Sequence, residues 1–112
     1  MNNPKFQIFK GKDDKFYFRL YARNGQQIIS SQGYTTKANC KKGIESVQSN
    51  SGQMEHFEIK SAANDKFFFN LLATNKQVIA SSQMYTTKSG CQKGIQSVQS
   101  VAPESPVEDT TV

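Results

Sequence analysis

The sequence has no tryptophan, a single histidine (His56) and only two cysteines (Cys40 and Cys91). These are too few for a zinc centre built from histidine and cysteine alone. No apolar run approaches the ~20 residues a membrane-spanning helix needs. The opening "MNNPKFQIFKGK" has no apolar core of the kind that directs secretion. A soluble, cytoplasmic protein is therefore expected, with both thiols reduced and unpaired. The chain also has no glycine-rich phosphate loop and no convergent set of carboxylates. No catalytic residue, cofactor or metal is expected, and the sequence does not read as an enzyme.

What is present is enough for one modest domain. The chain has 112 residues, of which 36% are hydrophobic, so a single core built from Phe, Ile, Leu and Val is expected. The net charge of +5 is uneven: residues 6–50 carry an excess of five positive charges, residues 57–101 an excess of three, and the tail from Ala102 three acids and no base. A basic body with an acidic end permits attraction to polyanions without requiring it.

The informative feature is repetition. "SSQGYTTKANCKKGIESVQS" begins at Ser30, and "SSQMYTTKSGCQKGIQSVQS" begins at Ser81. Shifting the chain by 51 positions aligns Phe6–Asn50 with Phe57–Val101 without a gap, with 26 of 45 positions identical. Two copies are too few for a solenoid and point to two halves of one pseudo-symmetric domain.

Each copy changes period along its length. "KFQIFK" and "KFYFRLYA" alternate as strands do, and Asn24-Gly25 then introduces "QQIISS". Asn-Gly between alternating runs predicts a two-residue type I′ hairpin, because both of its positions need positive φ. The second copy reads Asn75-Lys76, where lysine would be strained. Such a hairpin pairs Ala22 with Gln27, Leu20 with Ile29 and Phe18 with Ser31. One face then carries Phe16, Phe18, Leu20, Ala22 and Ile29, and the other Tyr17, Arg19, Tyr21, Arg23 and Ile28. Phe67, Phe69, Leu71 and Ala73 repeat the first face letter for letter, whereas the second becomes Phe68, Asn70, Leu72 and Thr74. Cores tolerate few changes of volume, so the unchanged face is assigned to the core.

The doubled stretch supplies the next element. Thr36 and Thr87 are the expected N-caps. Cys40, Gly43, Ile44 and Val47, with their counterparts Cys91, Gly94, Ile95 and Val98, recur at helical spacing. Glycine inside a helix costs about 1 kcal/mol relative to alanine. Its place on the apolar stripe of both helices predicts a close approach to the sheet.

Each copy thus reads β-β-β-α. The Asn-Gly hairpin, the Ser-x-x-Tyr corner and the Gly-Ile-x-Ser-Val helix closely resemble the YegP family, small bacterial and archaeal proteins without an established function. The resemblance runs from Phe6 to Val101. It implies an α+β fold in which tandem β-β-β-α(-β) units form one antiparallel sheet, with two helices on one face and exchanged C-terminal strands. The first unit's last strand would come from "QMEHFEIK", which also opens the second copy. The second unit's would come from "SPVEDTTV", short and at an edge because Pro103 and Pro106 flank it. Composition alone marks residues 102–112 as an acidic, disordered tail. Residues 1–112 are expected to form one domain, monomeric because each repeat supplies the cover the other lacks.

The face without helices is the surface with character. Phe9, Tyr17, Arg19, Tyr21, Arg23, Phe68 and Leu72 are its candidate binding residues. Their simplest role is to stiffen the sheet through cross-strand pairs. A protein interface or self-association comes next, and single-stranded nucleic acid, which uses rings interleaved with cations, comes after it.

Overall fold

The computed structural model describes residues 2–112. The first repeat forms β1 (Lys5–Lys10), β2 (Phe16–Tyr21), β3 (Gln27–Ser31) and α1 (Lys37–Asn50). The second forms β4 (Phe57–Ser61), β5 (Phe67–Leu72), β6 (Val78–Ser82) and α2 (Lys88–Val101), and β7 (Val107–Asp109) follows. All seven strands join one sheet in the order β4-β5-β6-β3-β2-β1-β7. The repeats meet at its centre, where β3 and β6 run antiparallel with Ser30 opposite Ser81.

The sheet is mixed, not wholly antiparallel as expected, because β7 runs parallel to β1. Three related segments compete for two equivalent places. β4 lies antiparallel against β5 and β1 antiparallel against β2. β4 is thus both the last strand of the first unit and the first of the second. At the opposite edge the N-terminal β1 already fills the place beside β2, so β7 is displaced one position outward.

The acidic tail is anchored. The Phe6 N–H donates to the Pro106 carbonyl (2.8 Å), and both the N–H and the hydroxyl of Thr110 donate to the Ile8 carbonyl (3.0 and 2.7 Å). Lys5 meets Glu108 at 3.0 Å and Lys37 meets Asp109 at 2.8 Å. The proline-flanked strand is short and sits at the edge, where a missing N–H is tolerated. Cross-strand and cross-element partners, absent from a reading of composition, are what order it.

The hairpin differs from the expected one. Within this loop of the first repeat Gly25 alone has positive φ (84°), and its N–H donates to the Ala22 carbonyl. The Ala22 N–H in turn donates to the Gln26 carbonyl at 2.8 Å. This is a three-residue loop ending in a left-handed residue, the alternative hairpin solution to the type I′ turn. Leu20 pairs with Ile29 as expected, but a bulge then shifts the register so that Tyr21, not Ala22, faces Gln27. The second repeat copies the arrangement with Lys76 at φ 69°.

The core lies between the sheet and the helices. Phe6, Ile8, Phe18, Leu20, Ile29, Phe69 and Leu71 are fully buried beneath Cys40, Val47, Cys91 and Val98. Thr36 and Thr87 accept from the Asn39 and Gly90 N–H groups and begin the helices. Each helix packs on strands of both repeats, α1 on β2, β5 and β6 and α2 on β3, β4 and β5. Neither repeat therefore has a private core.

Candidate functional site

Alternation from the buried face assigns the other residues of each strand to the helix-free side. Its middle is a polar row: Asn70, Ser81, Ser30, Arg19 and Gln7 are paired successively across β5, β6, β3, β2 and β1. The Ser81 hydroxyl donates to the Asn70 side-chain oxygen at 2.6 Å. Asn70, which alternation also assigns to this side, is only 8% exposed. The face is better covered than its sequence implies.

Three of the candidate residues come together. Phe9 lies directly opposite Tyr17, and their rings stack with centroids 5.6 Å apart at 18°. The Arg19 guanidinium lies 3.8 Å from the Phe9 ring centroid. Arg19 Nε is buried and has no hydrogen-bond partner among the described residues. The Tyr17 hydroxyl donates to Asp13 at 2.6 Å. That bond holds the Asp13 carboxyl below its ordinary range and raises the Tyr17 phenol. Gly11 and Gly33 leave room for the Tyr17 ring: a methyl on Gly11 would lie 2.6 Å from its Cε1, and one on Gly33 would lie 3.0 Å from its hydroxyl.

The other candidates stand apart. The Tyr21 ring lies under Lys5, 5.9 Å away. Phe68 and Leu72 are on β5, three strands from β2, or about 14 Å at the usual strand spacing. Arg23 does not belong to this face. It follows the end of β2 in the loop, and its guanidinium donates to the Ser100 hydroxyl on α2 at 3.1 Å. The bulge and the longer loop turn it toward the helical side, which strict alternation could not foresee.

His56 sits in a hollow lined by Glu55, Glu58, Leu72, Thr74 and Lys76. Its Nδ1 lies 3.0 Å from the Leu72 carbonyl. A carbonyl only accepts, so Nδ1 carries the proton and donates it. No described group of three or more His, Cys, Asp or Glu is placed to hold a metal ion. Cys40 and Cys91 are buried and free. Burial, with the Asp109 charge as a lesser cause, pushes the Cys40 thiol up to about 11, and burial raises Cys91. Such thiols carry little thiolate and are poor nucleophiles.

Sequence reasoning missed the polar row, whose only signal was the repeated Ser-Ser at the end of each third strand. It also missed the exposed edge of β4, which depends on where β7 goes.

Residues 12–58 and 62–109 each match a domain of unknown function, DUF1508. The first match runs from before β2 through α1 into β4, and the second from before β5 through α2 to β7. The chain is 47% identical over 106 residues to the UPF0339 protein YegP of Escherichia coli strain K12, covering 95% of this chain and 96% of that one. It is 40% identical over 106 residues to a UPF0339 protein of Shewanella oneidensis, with the same coverage. The solution NMR structure of yegP from E. coli, a protein of unknown function, superimposes with a TM-score of 0.91 at 44% identity, covering 98% of this chain and 95% of that one. That of UPF0339 protein SO3888 from Shewanella oneidensis gives 0.88 at 39% identity, covering 94% and 89%.

Proposed function

The chain belongs to the family of the domain of unknown function DUF1508, carrying two copies of it, and we propose that it is a non-catalytic interaction module whose helix-free face receives a protein partner. Arg19 carries this reading. Its Nε is buried without a hydrogen-bond partner among the described residues, and a buried donor left unsatisfied costs about 1–3 kcal/mol in general. A carboxylate brought by a partner would pair with the guanidinium charge, and the half-buried Phe9 and Tyr17 beside it offer apolar contact. A partner segment with an acid next to apolar residues suits this arrangement. The Phe9 ring is already stacked on Tyr17 and covered by Arg19, so little ring face remains for a nucleic-acid base.

The test is selection of peptides from a display library on the chain, counter-selected with a Tyr17→Ala, Arg19→Ala variant. Acid-containing peptides that bind the parent and lose affinity for the variant are expected. Enriched peptides indifferent to both substitutions would overturn this surface. Tight, salt-sensitive binding of a single-stranded oligonucleotide, lost with Arg19→Ala, would replace the protein reading with the nucleic-acid one.

A further inference from the structure

The pseudo-twofold pairs β1 with β4, β2 with β5 and β3 with β6, but β7 has no counterpart. The segment related to it, around His56–Glu58, runs straight into β4. One edge of the sheet is therefore covered by β7 and the equivalent edge is bare among the described residues. Burial records the difference: Phe6 and Ile8 under β7 are fully buried, whereas Phe57 and Ile59 remain partly exposed.

The bare edge has its bonding groups pointed outward. Ile59 pairs with Phe69, and the Phe69 N–H is turned toward β6, donating to the Ser82 hydroxyl at 2.9 Å. Ile59 and Phe69 are thus a non-hydrogen-bonded pair, and the Ile59 N–H and C=O face away from β5. In the first repeat the equivalent Ile8 carbonyl holds Thr110. The Phe57 N–H is already given to Met54, so a strand docking here would form one bond fewer than β7 does.

Charge identifies the occupant. Lys37 at the start of α1 binds Asp109 of β7. Its equivalent at the start of α2, Lys88, is exposed and forms no ion pair among the described residues. Lys5 and Gln7 grip Glu108, but their equivalents are His56 and Glu58. A second copy's β7 would bring Glu108 against Glu58, whose charge Lys60 offsets only in part through an exposed ion pair at 3.4 Å, and would leave its own β1 uncovered.

We propose that the β4 edge is a strand-docking site, and that it takes an extended peptide segment of a partner protein. The segment adds parallel to β4, with an acidic residue for Lys88 and a basic residue one position before it for Glu58. Backbone bonds to Ile59 supply affinity, and the two charges supply selectivity. This surface is separate from the helix-free face, so either reading can fail alone.

The probe is a synthetic peptide of residues 105–112 of this chain carrying Glu108→Lys, titrated into the full-length ¹⁵N-labelled protein. Expected are amide shifts at Ile59 and Lys88, with affinity at least threefold above that of the unsubstituted peptide. A Lys88→Glu protein should lose binding, and a peptide with Asp109→Lys added should restore it to that variant. The proposal is overturned if no amide in Phe57–Ser61 shifts at millimolar peptide, or if Lys88→Glu binds equally well. It is also overturned if the protein forms a concentration-dependent dimer that protects the β4 amides, since a second copy would then be the occupant.

Discussion

The Tyr34 hydroxyl lies directly beneath Gly43, so close that a methyl group on that α-carbon would overlap it. The same ring stacks on Phe18 with centroids 6.3 Å apart. Tyr85, Gly94 and Phe69 reproduce the arrangement in the second repeat. The tyrosine of each corner and the glycine of each helix are therefore two parts of one contact. Gly43→Ala should lower stability by about 1–3 kcal/mol through overpacking, although alanine is the better helix former by about 1 kcal/mol. Tyr34→Phe should recover part of that loss. Urea melts of the two single variants and the double variant check this; a Gly43→Ala protein at least as stable as the parent would mean that the helix rides higher than described.

The two faces of β2 should differ sharply. Phe18 is fully buried, and Phe18→Ala should cost on the order of 3–5 kcal/mol. Tyr17 is half-buried on the helix-free face, and Tyr17→Ala should cost much less. Denaturant midpoints in the reverse order would place the core on the wrong side of the sheet.

Lys76 occupies a left-handed conformation, φ 69°, where the first repeat has Gly25 at 84°. A side chain in this region costs about 1–2 kcal/mol, and glycine's greater freedom in the unfolded chain offsets part of any gain. Lys76→Gly should raise the thermal midpoint slightly, and Gly25→Lys should lower it. Calorimetry on both variants would show whether the loops are equivalent.

Acid should loosen β7 before the rest of the sheet. Hydrogen bonds from Gln7 and Lys5 bring the Glu108 carboxyl from 4.5 down to about 2. Contacts from Lys37 and Thr111 bring Asp109 from 3.8 down to about 2. Depressed carboxyls stabilise the fold above their unfolded values, and the effect is lost as pH falls through the folded ones. Between pH 4.5 and 2, amide protection at Val107–Thr110, measured against the intrinsic exchange rate at each pH, should therefore be lost first. The double variant Glu108→Gln, Asp109→Asn should abolish that pH dependence; if its protection still falls with pH, other carboxyls hold the strand.

Both thiols should react slowly with a disulfide reagent in the native protein and rapidly in denaturant. Cys40 and Cys91 are fully buried on the helix stripes, and burial keeps them protonated. Fast native labelling would mean that the helices detach from the sheet on the timescale of the assay.

Local pattern determined much of this protein. Alternation in "KFYFRL" and "KFFFNL" assigned Phe18, Leu20, Phe69 and Leu71 to the core, because successive side chains of a strand must face opposite ways. Thr36 and Thr87 marked the helix starts, because a short hydroxyl side chain can accept a free N–H there. The repeat made the two-part architecture legible without any coordinates. What alternation could not reach was decided by competition between distant segments. β1, β4 and β7 derive from related stretches, and only the chain's connectivity determines which two lie against β2 and β5 and which is pushed outside. That outcome made the sheet mixed, ordered the acidic tail and left β4 bare. One bulge after Leu20 sent Arg23 to the helical side, and pairing with Ser81 holds the buried Asn70 on the side expected to be open. A backbone hydrogen bond carries no side-chain signature, so strand order and edge exposure were decided only when the chain closed on itself.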